Sequence, residues 1–503
     1  MRWNRLIVTV AALLALAVAG TAQAAPAPVV KDKIVIDLVN ESATLDPHLQ
    51  WNPDSYAVYR NIFDNLVTRD NEGKIIPAVA SSWKFITDTE VEFTIRGDIV
   101  FHDGQKLTPE DVVYSVQRIT DKDLASPQRS QFAAIVKAEV TGPDTVKFHT
   151  EAPYPPMLAQ LVKLSIVPKH VVEAVGNEAF NLNPVGSGPY KFKEWQRGIA
   201  ITLVANDAYW GEKGTFPTAE FRFVPDAGTR VADLRTGKAD LVYALDSDMA
   251  LTLKGDKSVA PRTALTERVA FLRPNNGRAP TSNPLIRQAI AHAVDKEGIT
   301  EGLFGGIDQP TDIMLPPQAA GWTDVTGYPY DPEKAKELIK QAGDDAKLEI
   351  IFVTSPVYDQ RVVQAVQQML TDVGLKVRVD MMDQPSFLKS VQTGPLDTRA
   401  HLSFGRWSCA CLDADGVIYP LIHESSIWSM TRRPELDKEL DAARAVIDQA
   451  ERDKHYAVVN EAIAKDVLLL PLYQCAITYG VNNRLEWQPT ADESLFLNRM
   501  AWK

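Results

Sequence analysis

The chain has 503 residues, of which 45% are hydrophobic, and its 65 acidic side chains outnumber its 53 basic ones to give a formal net charge of −12 at pH 7. This acidic balance argues against nucleic-acid binding, which needs basic patches to meet phosphates. The length is too great for a single hydrophobic core, so two or three lobes are expected.

The first 24 residues have the pattern of a secretory signal peptide. Arg2 and Arg5 precede the apolar run LIVTVAALLALAVAG, and TAQA ends in small residues. The run is short for a bilayer span, and no cysteine follows it to carry a lipid. We therefore expect cleavage after Ala24, a mature net charge of −14 and export to the periplasm without a lipid anchor.

Strand and helix patterns alternate along the first part of the chain. KIVIDLV, from Lys33, alternates like a strand, and a helix is expected over YAVYRNIFDNLV, residues 56–67. EVEFTIRGD places Val91, Phe93 and Ile95 on one face of a second strand. Thr108 then supplies an N-cap, followed by a proline and two acids, so a helix is expected to begin there.

The rest of the chain repeats these signals. Helices are expected from Asn283-Pro284 and Asp331-Pro332, and a long helical pattern runs from Pro434 to Asp466 with an irregular middle near Ala450. LEIIFVT, VRVDMMD and LPLYQCAITYG are typical of strands. The pattern indicates two α/β lobes with a smaller strand-rich insertion.

Segments along nearly the whole mature chain resemble one known family, the large peptide-type solute-binding proteins (family 5) that serve ABC importers. The most extended is VEFTIRGDIVFHDGQKLTPEDVVYSVQRI, residues 91–119. The others, in order, are LDPH, NPVGSGPYKFKEW, NDAYWG, RVADLRTGKADL, FLRPNNG, NPLIRQAIAHAVDKEG, YPYDPEKAKELIKQAG and PLYQCAITYGVNN.

The resemblance implies an α/β periplasmic-binding-protein fold of two lobes joined by hinge strands, with an extra inserted domain. Lobe I would comprise residues 25–68, 184–266 and 478–503, the inserted domain residues 69–183, and lobe II residues 267–477. It implies a non-enzymatic receptor; we also expect a monomer without a cofactor. Such a receptor holds a small-molecule or peptide-like ligand in the interlobe cleft and delivers it to a membrane permease.

Two short motifs are interpreted as structural. His102-Asp103-Gly104 is expected to form a turn. Gly186-Ser187-Gly188 lacks both Walker and Rossmann spacing, so a tight hinge turn is expected there. Neither HExxH nor GxSxG occurs, which argues against two common hydrolase types.

The stretch RWSCACLDADG, residues 406–416, carries the most informative departure from the family. In its peptide-binding members, the third residue after the tryptophan is typically an aspartate that pairs with the ligand's α-ammonium. Here the residue three places after Trp407 is Ala410, which puts peptides held by their N-terminus in doubt, because a buried ammonium needs a counter-charge. A modified or γ-linked peptide, an opine or a sugar conjugate is expected instead.

Candidate ligand-binding residues lie in and near this stretch. The fork of Arg406 suits a carboxylate or phosphate, or else makes a surface salt bridge. The carboxylates of this stretch could contact ligand cations or hydroxyls, or else cap the segment that follows. The aromatic rings could stack on a ligand, or else pack against other side chains of the protein. The full set is Arg406, Trp407, Ser408, Asp413, Asp415, Tyr358, Arg361 and Trp428.

The cysteines could serve as a pocket wall, a disulfide or a metal site. Three cysteines allow one internal bridge, and the pairing we consider is Cys409 or Cys411 with Cys475. C-x-C without a second Cys/His pair does not make a zinc site, so no metal is expected. An exported hydrolase and a metal-chelate or haem carrier are the alternative functions.

Overall fold

The computed structural model of the protein describes residues 31–503, so the expected signal peptide lies outside the described residues. Within this part of the chain, no helix is long and apolar enough to cross a membrane. Its strands, in chain order, are β1 (Lys33–Leu38), β2 (Val67–Arg69), β3 (Ile75–Pro77), β4 (Ala80–Thr87), β5 (Glu90–Ile95), β6 (Ile135–Val140), β7 (Thr145–Thr150), β8 (Tyr190–Gln196), β9 (Ala200–Ala205), β10 (Thr218–Phe223), β11 (Leu241–Leu245), β12 (Val259–Pro274), β13 (Gln309–Pro310), β14 (Glu349–Thr354), β15 (Lys376–Met381), β16 (Leu402–Trp407), β17 (Leu470–Asn482), β18 (Leu485–Glu486) and β19 (Ala501–Trp502).

The helices alternate with these strands. In chain order the α-helices are α1 (Pro53–Tyr59), α2 (Pro109–Thr120), α3 (Arg129–Phe132), α4 (Met157–Leu161), α5 (Lys169–Leu182), α6 (Ala227–Arg235), α7 (Ser247–Leu251), α8 (Pro284–Ala293), α9 (Lys296–Phe304), α10 (Pro332–Ala342), α11 (Gln360–Asp372), α12 (Gln384–Gln392), α13 (Ile418–Ile422), α14 (Pro434–Arg444) and α15 (Gln449–Asp466). Short 3-10 segments lie at Gly343–Lys347, Leu396–Thr398, Ala414–Gly416 and Leu497–Arg499.

One mixed sheet of eleven strands runs through the molecule. Its order is β15-β14-β16-β12-β17-β11-β1-β10-β9-β8, and β13 pairs with β17 beside this path. The pairs β1–β10, β1–β11, β14–β15 and β14–β16 are parallel, whereas β12 and β17 pair antiparallel with each other and with their outer neighbours β16 and β11. The expected α/β fold with strands joining two lobes is confirmed.

The two central strands belong to both lobes. The first half of β12 pairs with the second half of β17 beside β11, and the second half of β12 lies beside β16. Their ladder shifts register between Leu265 and Val269. Because the interrupted pairing falls where the two lobes meet, residues 266–268 lie at the hinge.

A separate antiparallel sheet, β4-β5-β7-β6, forms the strand-rich insertion. Val91, Phe93 and Ile95 of β5 all face its core, as their alternation predicts. Helix α2 begins at a capping-box sequence, where the Asp111 carboxylate accepts from both the backbone N–H and the hydroxyl of Thr108 at 2.9 Å.

The apolar cores follow this division. One cluster joins Ile34–Phe63 to Val167–Tyr243 and Ile477–Met500. A second cluster occupies the insertion, from Leu66 to Ile166. Further clusters lie between Val269 and Cys475. The insertion's core thus ends near residue 166, while Val172 and Phe180 of α5 pack in the first-lobe core. The domain limits drawn from the sequence stay a prediction.

One helix prediction is corrected and another is made more exact. The helix expected over residues 56–67 is shorter: α1 ends at Tyr59, because the carbonyls of Asn61 and Ile62 accept bonds from Tyr190 and Gly188 instead of continuing the helical ladder. The pattern from Pro434 to Asp466, whose middle is expected to be irregular near Ala450, is interrupted at residues 445–448 and forms two helices, α14 and α15, of which Asp448 caps the second.

The Gly186-Ser187-Gly188 segment packs directly against this chain turn. A Cβ on Gly186 would lie 2.0 Å from the carbonyl oxygen of Ile62, far closer than atoms can approach. His102 bonds to the same segment: its Nε2 donates to the Gly188 carbonyl at 3.0 Å. Burial lowers the pKa of the His102 imidazole to about 4. Glycine is needed at position 186 because the Ile62 carbonyl leaves no room there for a side chain.

We expect Gly186→Ala to lower the free energy of unfolding by about 1–3 kcal/mol or more, because the added methyl group forces the backbone apart. Urea unfolding followed by tryptophan fluorescence would measure the change.

Gly97→Ala is the matched control, since a Cβ there meets nothing within 4 Å. Equal destabilisation by the two substitutions would contradict the close approach as its cause.

Candidate ligand-binding site

A cavity of about 290 Å³ opens beside the register shift of the hinge strands. It is at the lower end of the ~300–1,000 Å³ range of small-molecule sites. Its walls come from every part of the fold: Trp51, Pro53, Tyr56, Arg60, Arg69, Gln131, Val162, Lys163, Glu267, Arg268, Ser408, Cys409, Ala410, Ala491, Asp492 and Glu493. A ligand held here would contact both lobes and the insertion at once.

Four charged side chains of this cavity form two ion pairs. Arg60 donates to Asp492 at 3.1 Å and also bonds to the hydroxyl of Ser494. Arg268 donates to Glu493 at 3.2 Å. The second oxygen of Glu493 lies 3.4 Å from the hydroxyl of Tyr56. These pairs are neutral as units and build one wall.

Two further cations reach across to the loop that follows β16. The Nζ of Lys163 donates to the carbonyl oxygen of Cys409 and to Oε1 of Gln131, both at 2.9 Å. Arg69 donates to the carbonyls of Cys411 at 2.6 Å and Gly73 at 2.5 Å. Both contacts tie the insertion to lobe II over the cavity.

Glu267 provides the remaining carboxylate, at the hinge itself. Its side chain is almost fully buried, and Oε2 accepts from the backbone N–H of Leu412 at 3.1 Å. Burial raises the pKa of Glu267, while the Leu412 N–H and the charges of Lys163 and Arg69 oppose this rise. Burial in turn lowers the pKa of Lys163 to about 8, although Glu267 favours its charged form.

Aromatic rings complete the wall. The Nζ of Lys163 lies 5.7 Å from the ring centre of Trp51, and the guanidinium of Arg60 lies 5.9 Å from the same ring centre. Both distances are within the range of cation–π attraction. Trp51 itself packs on Tyr56 with ring centres 5.0 Å apart. The site thus offers apolar faces between fixed charges.

The cysteine pairing considered from the sequence is wrong. The disulfide joins Cys409 to Cys411, and Cys475 is a free, buried thiol. The backbone explains this, because Ala410 between the two adopts a left-handed φ of +53° and so bends the loop until the flanking side chains meet. The carbonyl of Cys475 meanwhile accepts from Thr266 on β12, within the hinge ladder.

The disulfide is packed tightly over Gly416. A Cβ on Gly416 would lie 2.7 Å from Sγ of Cys411 and 2.9 Å from Sγ of Cys409. Cys411 is fully buried, whereas Cys409 borders the cavity. The bridge therefore forms part of the pocket wall.

Asp413 and Asp415 lie outside the cavity lining. Both oxygens of Asp413 accept from Arg452, at 2.8 and 3.0 Å, and this pair is almost fully buried. Asp413 also caps the following 3-10 segment by accepting from the N–H of Asp415. Asp415 in turn accepts from Arg444 on α14. Their observed partners are protein groups, and a ligand role stays a prediction.

The tryptophans pack on each other beneath the loop. Trp407 and Trp428 meet edge to face with ring centres 5.0 Å apart, and the indole of Trp407 donates to the Gly416 carbonyl at 2.9 Å. Arg406 is exposed and donates to the Val357 carbonyl at 3.3 Å. Of the eight candidate ligand-binding residues, Ser408 alone lines the cavity, together with Cys409 of the proposed cysteine wall.

Tyr358 and Arg361 lie beyond the cavity lining. Tyr358 packs edge to face against Phe387 and Phe404, each at 5.5 Å. Arg361 is exposed and forms a salt bridge with Asp359 at 2.7 Å, and Asp248 of α7 lies 3.4 Å from it. For these residues too, ligand contact stays a prediction.

The sequence contained signals for the residues that were missed. Lys163 interrupts the apolar run LAQLVKLSIV, and Glu267 and Arg268 interrupt the strand between Ala264 and Val269. Charges inside runs of this kind need a buried partner or a ligand. Their convergence on one cavity required the fold.

Metal ligation has no support in the described part of the chain. Among residues 31–503, no three His, Cys, Asp or Glu side chains come together in a way that could hold a metal ion.

Known proteins match the chain over most of its length. The model of "Bacterial extracellular solute-binding proteins, family 5 Middle" matches residues 74–429. The glutathione-binding protein GsiB of Escherichia coli (strain K12) is 26% identical over 476 residues, 92% of each chain.

Solved structures give the same result. DppA of Helicobacter pylori, in complex with the peptide STSA, superposes with a TM-score of 0.75 at 25% identity over 93% of this chain and 98% of its own. AgaA from A. tumefacien R10, in complex with agropinic acid, has a TM-score of 0.74 at 26% identity over 94% and 99%.

We expect thiol labelling to separate the three cysteines. The native protein should not react, because Cys475 is buried and burial raises the pKa of its thiol to about 12. Denaturation without reductant should expose one thiol, Cys475, and denaturation with reductant should expose three. Mass spectrometry of the alkylated peptides would identify each.

A label on Cys409 or Cys411 in the unreduced, denatured chain would contradict the observed pairing. Reduction offers an independent check. Breaking a bridge that closes so short a loop should lower the free energy of unfolding by about 2 kcal/mol or less. Breaking one that closes the long loop to Cys475 would lower it by roughly 4 kcal/mol.

We expect Asp413→Asn to lower the free energy of unfolding by about 3–5 kcal/mol, because it leaves Arg452 buried without its counter-charge. Chemical denaturation would measure this. Asp344→Asn, whose side chain is 94% exposed, should change it by no more than about 0.5 kcal/mol. Similar effects at both positions would exclude the buried pair as the cause.

Proposed function

The chain belongs to family 5 of the bacterial extracellular solute-binding proteins, and from that premise we propose that its hinge cavity captures a small peptide-like solute. It is the substrate-binding component of an ABC importer. Binding proteins of this family are periplasmic and work with a membrane permease. Export by cleavage after Ala24, the absence of a lipid anchor and a monomeric state belong to the proposal.

The position and walls of the cavity support this function. It lies at the interrupted pairing of β12 and β17, and its lining comes from lobe I, the insertion, the hinge and the loop after β16. A ligand that bridges these parts would favour the closed arrangement by its contacts, as population shift requires. We therefore propose lobe closure on binding.

The size and polarity of the cavity favour a particular range of ligands. A volume of about 290 Å³ suits a compound of two or three residues better than a long oligopeptide. Seven charged side chains and two aromatic rings line it. Modified or γ-linked peptides and opines match this mixture of charge and apolar surface. The similar proteins include GsiB, named as glutathione-binding, and AgaA, solved in complex with agropinic acid.

The relatives are binding proteins rather than enzymes, and we extend this to the chain as a receptor that releases its ligand unchanged. Turnover of the bound solute would contradict this part of the proposal.

The first experiment compares the native and the denatured mass of protein purified from periplasm. We expect an additional mass of one small molecule per chain in the native state, which is lost on denaturation. The ligand-free refolded chain should then become more compact when that molecule is added, seen as a smaller radius of gyration in X-ray scattering.

Ser408→Trp should abolish both the retained mass and the compaction, because the indole fills the cavity without removing a charge. Ser425→Trp is the matched control, since Ser425 lies on the exposed surface of the same lobe. Unchanged binding by the Ser408 variant would place the ligand elsewhere and overturn the proposal.

A further inference from the structure

The charges of the cavity divide into a paired and an unpaired set. Arg60 with Asp492 and Arg268 with Glu493 are pairs whose partners are already in contact. The other three charged residues are Lys163, Arg69 and Glu267. Among residues 31–503, none of these three forms a salt bridge; their hydrogen bonds go to backbone groups and one amide.

The unpaired set is deeply buried. The exposed fractions of Lys163, Arg69 and Glu267 are 2%, 8% and 6%. With Glu267 ionised, the set carries a net charge of +1, and with Glu267 protonated it carries +2. In either state the ligand-free cavity holds an excess of positive charge removed from water, which is unfavourable unless a counter-charge arrives.

Nearby acids do not supply that counter-charge. Asp413 and Asp415 of the following loop already bond to Arg452 and Arg444. At the position three residues after Trp407, Ala410 brings no carboxylate to the wall. The missing negative charge is thus left to the ligand.

We propose that the ligand carries one more carboxylate than ammonium, for a net charge of −1. This inference rests on the proposed function. One ligand carboxylate lies against Lys163 and Arg69, and the ligand's amino group lies against Glu267, which takes the place of the aspartate absent from the loop.

Two chemical classes have this signature. A γ-glutamyl peptide carries two carboxylates and one ammonium, and so does an N-(1-carboxyalkyl) amino acid of the opine type. An ordinary α-dipeptide with neutral side chains has a net charge of zero and lacks the second carboxylate. The cavity is therefore expected to discriminate by charge as well as by shape.

Calorimetric titration of the ligand-free full chain tests the inference. The probes are γ-glutamylglycine, N-(1-carboxyethyl)alanine, the mono-amide of each and alanylalanine. We expect at least one dicarboxylate to bind, and its mono-amide and alanylalanine to bind roughly tenfold more weakly or worse, as the loss of a charged hydrogen bond requires.

Variants assign the two ends of the ligand. Lys163→Gln should weaken binding of the dicarboxylate at least tenfold. Binding of the mono-amide that lacks the carboxylate facing Lys163 should be affected much less. Glu267→Gln should weaken amino-bearing dicarboxylates, but not an analogue in which hydrogen replaces the amino group. Lys137→Gln, at an exposed site in the insertion, and Glu486→Gln, exposed near the C-terminus, are the charge-matched controls.

Circular dichroism of each variant shows whether it is folded before its affinity is compared. If Lys163→Gln fails to fold, Arg69→Gln removes the other cation facing the same ligand carboxylate and should likewise weaken binding of the dicarboxylate at least tenfold. Lys163→Arg keeps the charge and should retain the preference for dicarboxylates.

The outcomes separate this inference from the function on which it rests. Tighter binding of alanylalanine, or a retained natural ligand of zero or positive charge, would overturn the charge inference and leave the receptor function standing. If no probe binds and no small molecule is retained by the periplasmic protein, both fail.

Discussion

The antiparallel ladder of β12 and β17 is the constraint on which the structure depends. Each lobe completes its sheet on these two strands, lobe I through β11 and lobe II through β16. The lobes are therefore joined by continuous backbone pairing, and the ladder is free to bend only where that pairing is interrupted. At the interruption, side chains replace backbone partners: Thr266 donates to the Cys475 carbonyl, and Gln474 donates to the carbonyl of Thr266, both at 2.8 Å.

The same interruption explains why the charges gather at the hinge. A residue that leaves the regular pleat no longer has to pack against a neighbouring strand, so Glu267 and Arg268 can turn towards the cavity. Their surroundings have a low dielectric constant, which strengthens every charge contact and makes an unmatched charge costly. Burial accordingly shifts the pKa of Glu267 upward and that of Lys163 downward to about 8.

The disulfide loop links this electrostatic centre to the second lobe. Its two cysteine carbonyls accept from Lys163 and Arg69, and its Leu412 N–H donates to Glu267. The bridge between Cys409 and Cys411 limits the shapes available to the loop, while the buried pair of Asp413 and Arg452 anchors its far end. A loop held at both ends presents fixed backbone dipoles, which is what preorganised recognition of a charged ligand requires.

The sequence by itself determined the class of the protein and much of its local structure. Its signals were local patterns: the family motifs, the alternation of Val91, Phe93 and Ile95, and the capping residues Thr108 and Asp331. Such patterns can be recognised because they depend only on residues close together in the chain. Only the tertiary structure decided the cysteine pairing, the end of α1 at Tyr59 and the membership of the cavity. The conformation of Ala410 and the hydrogen bonds accepted by Asn61 and Ile62 depend on neighbours that the sequence does not name. Glu267, Lys163 and Arg69 are separated by up to about two hundred residues, so no spacing rule relates them, and their shared burial arises only when the insertion, the hinge and the second lobe close on one another.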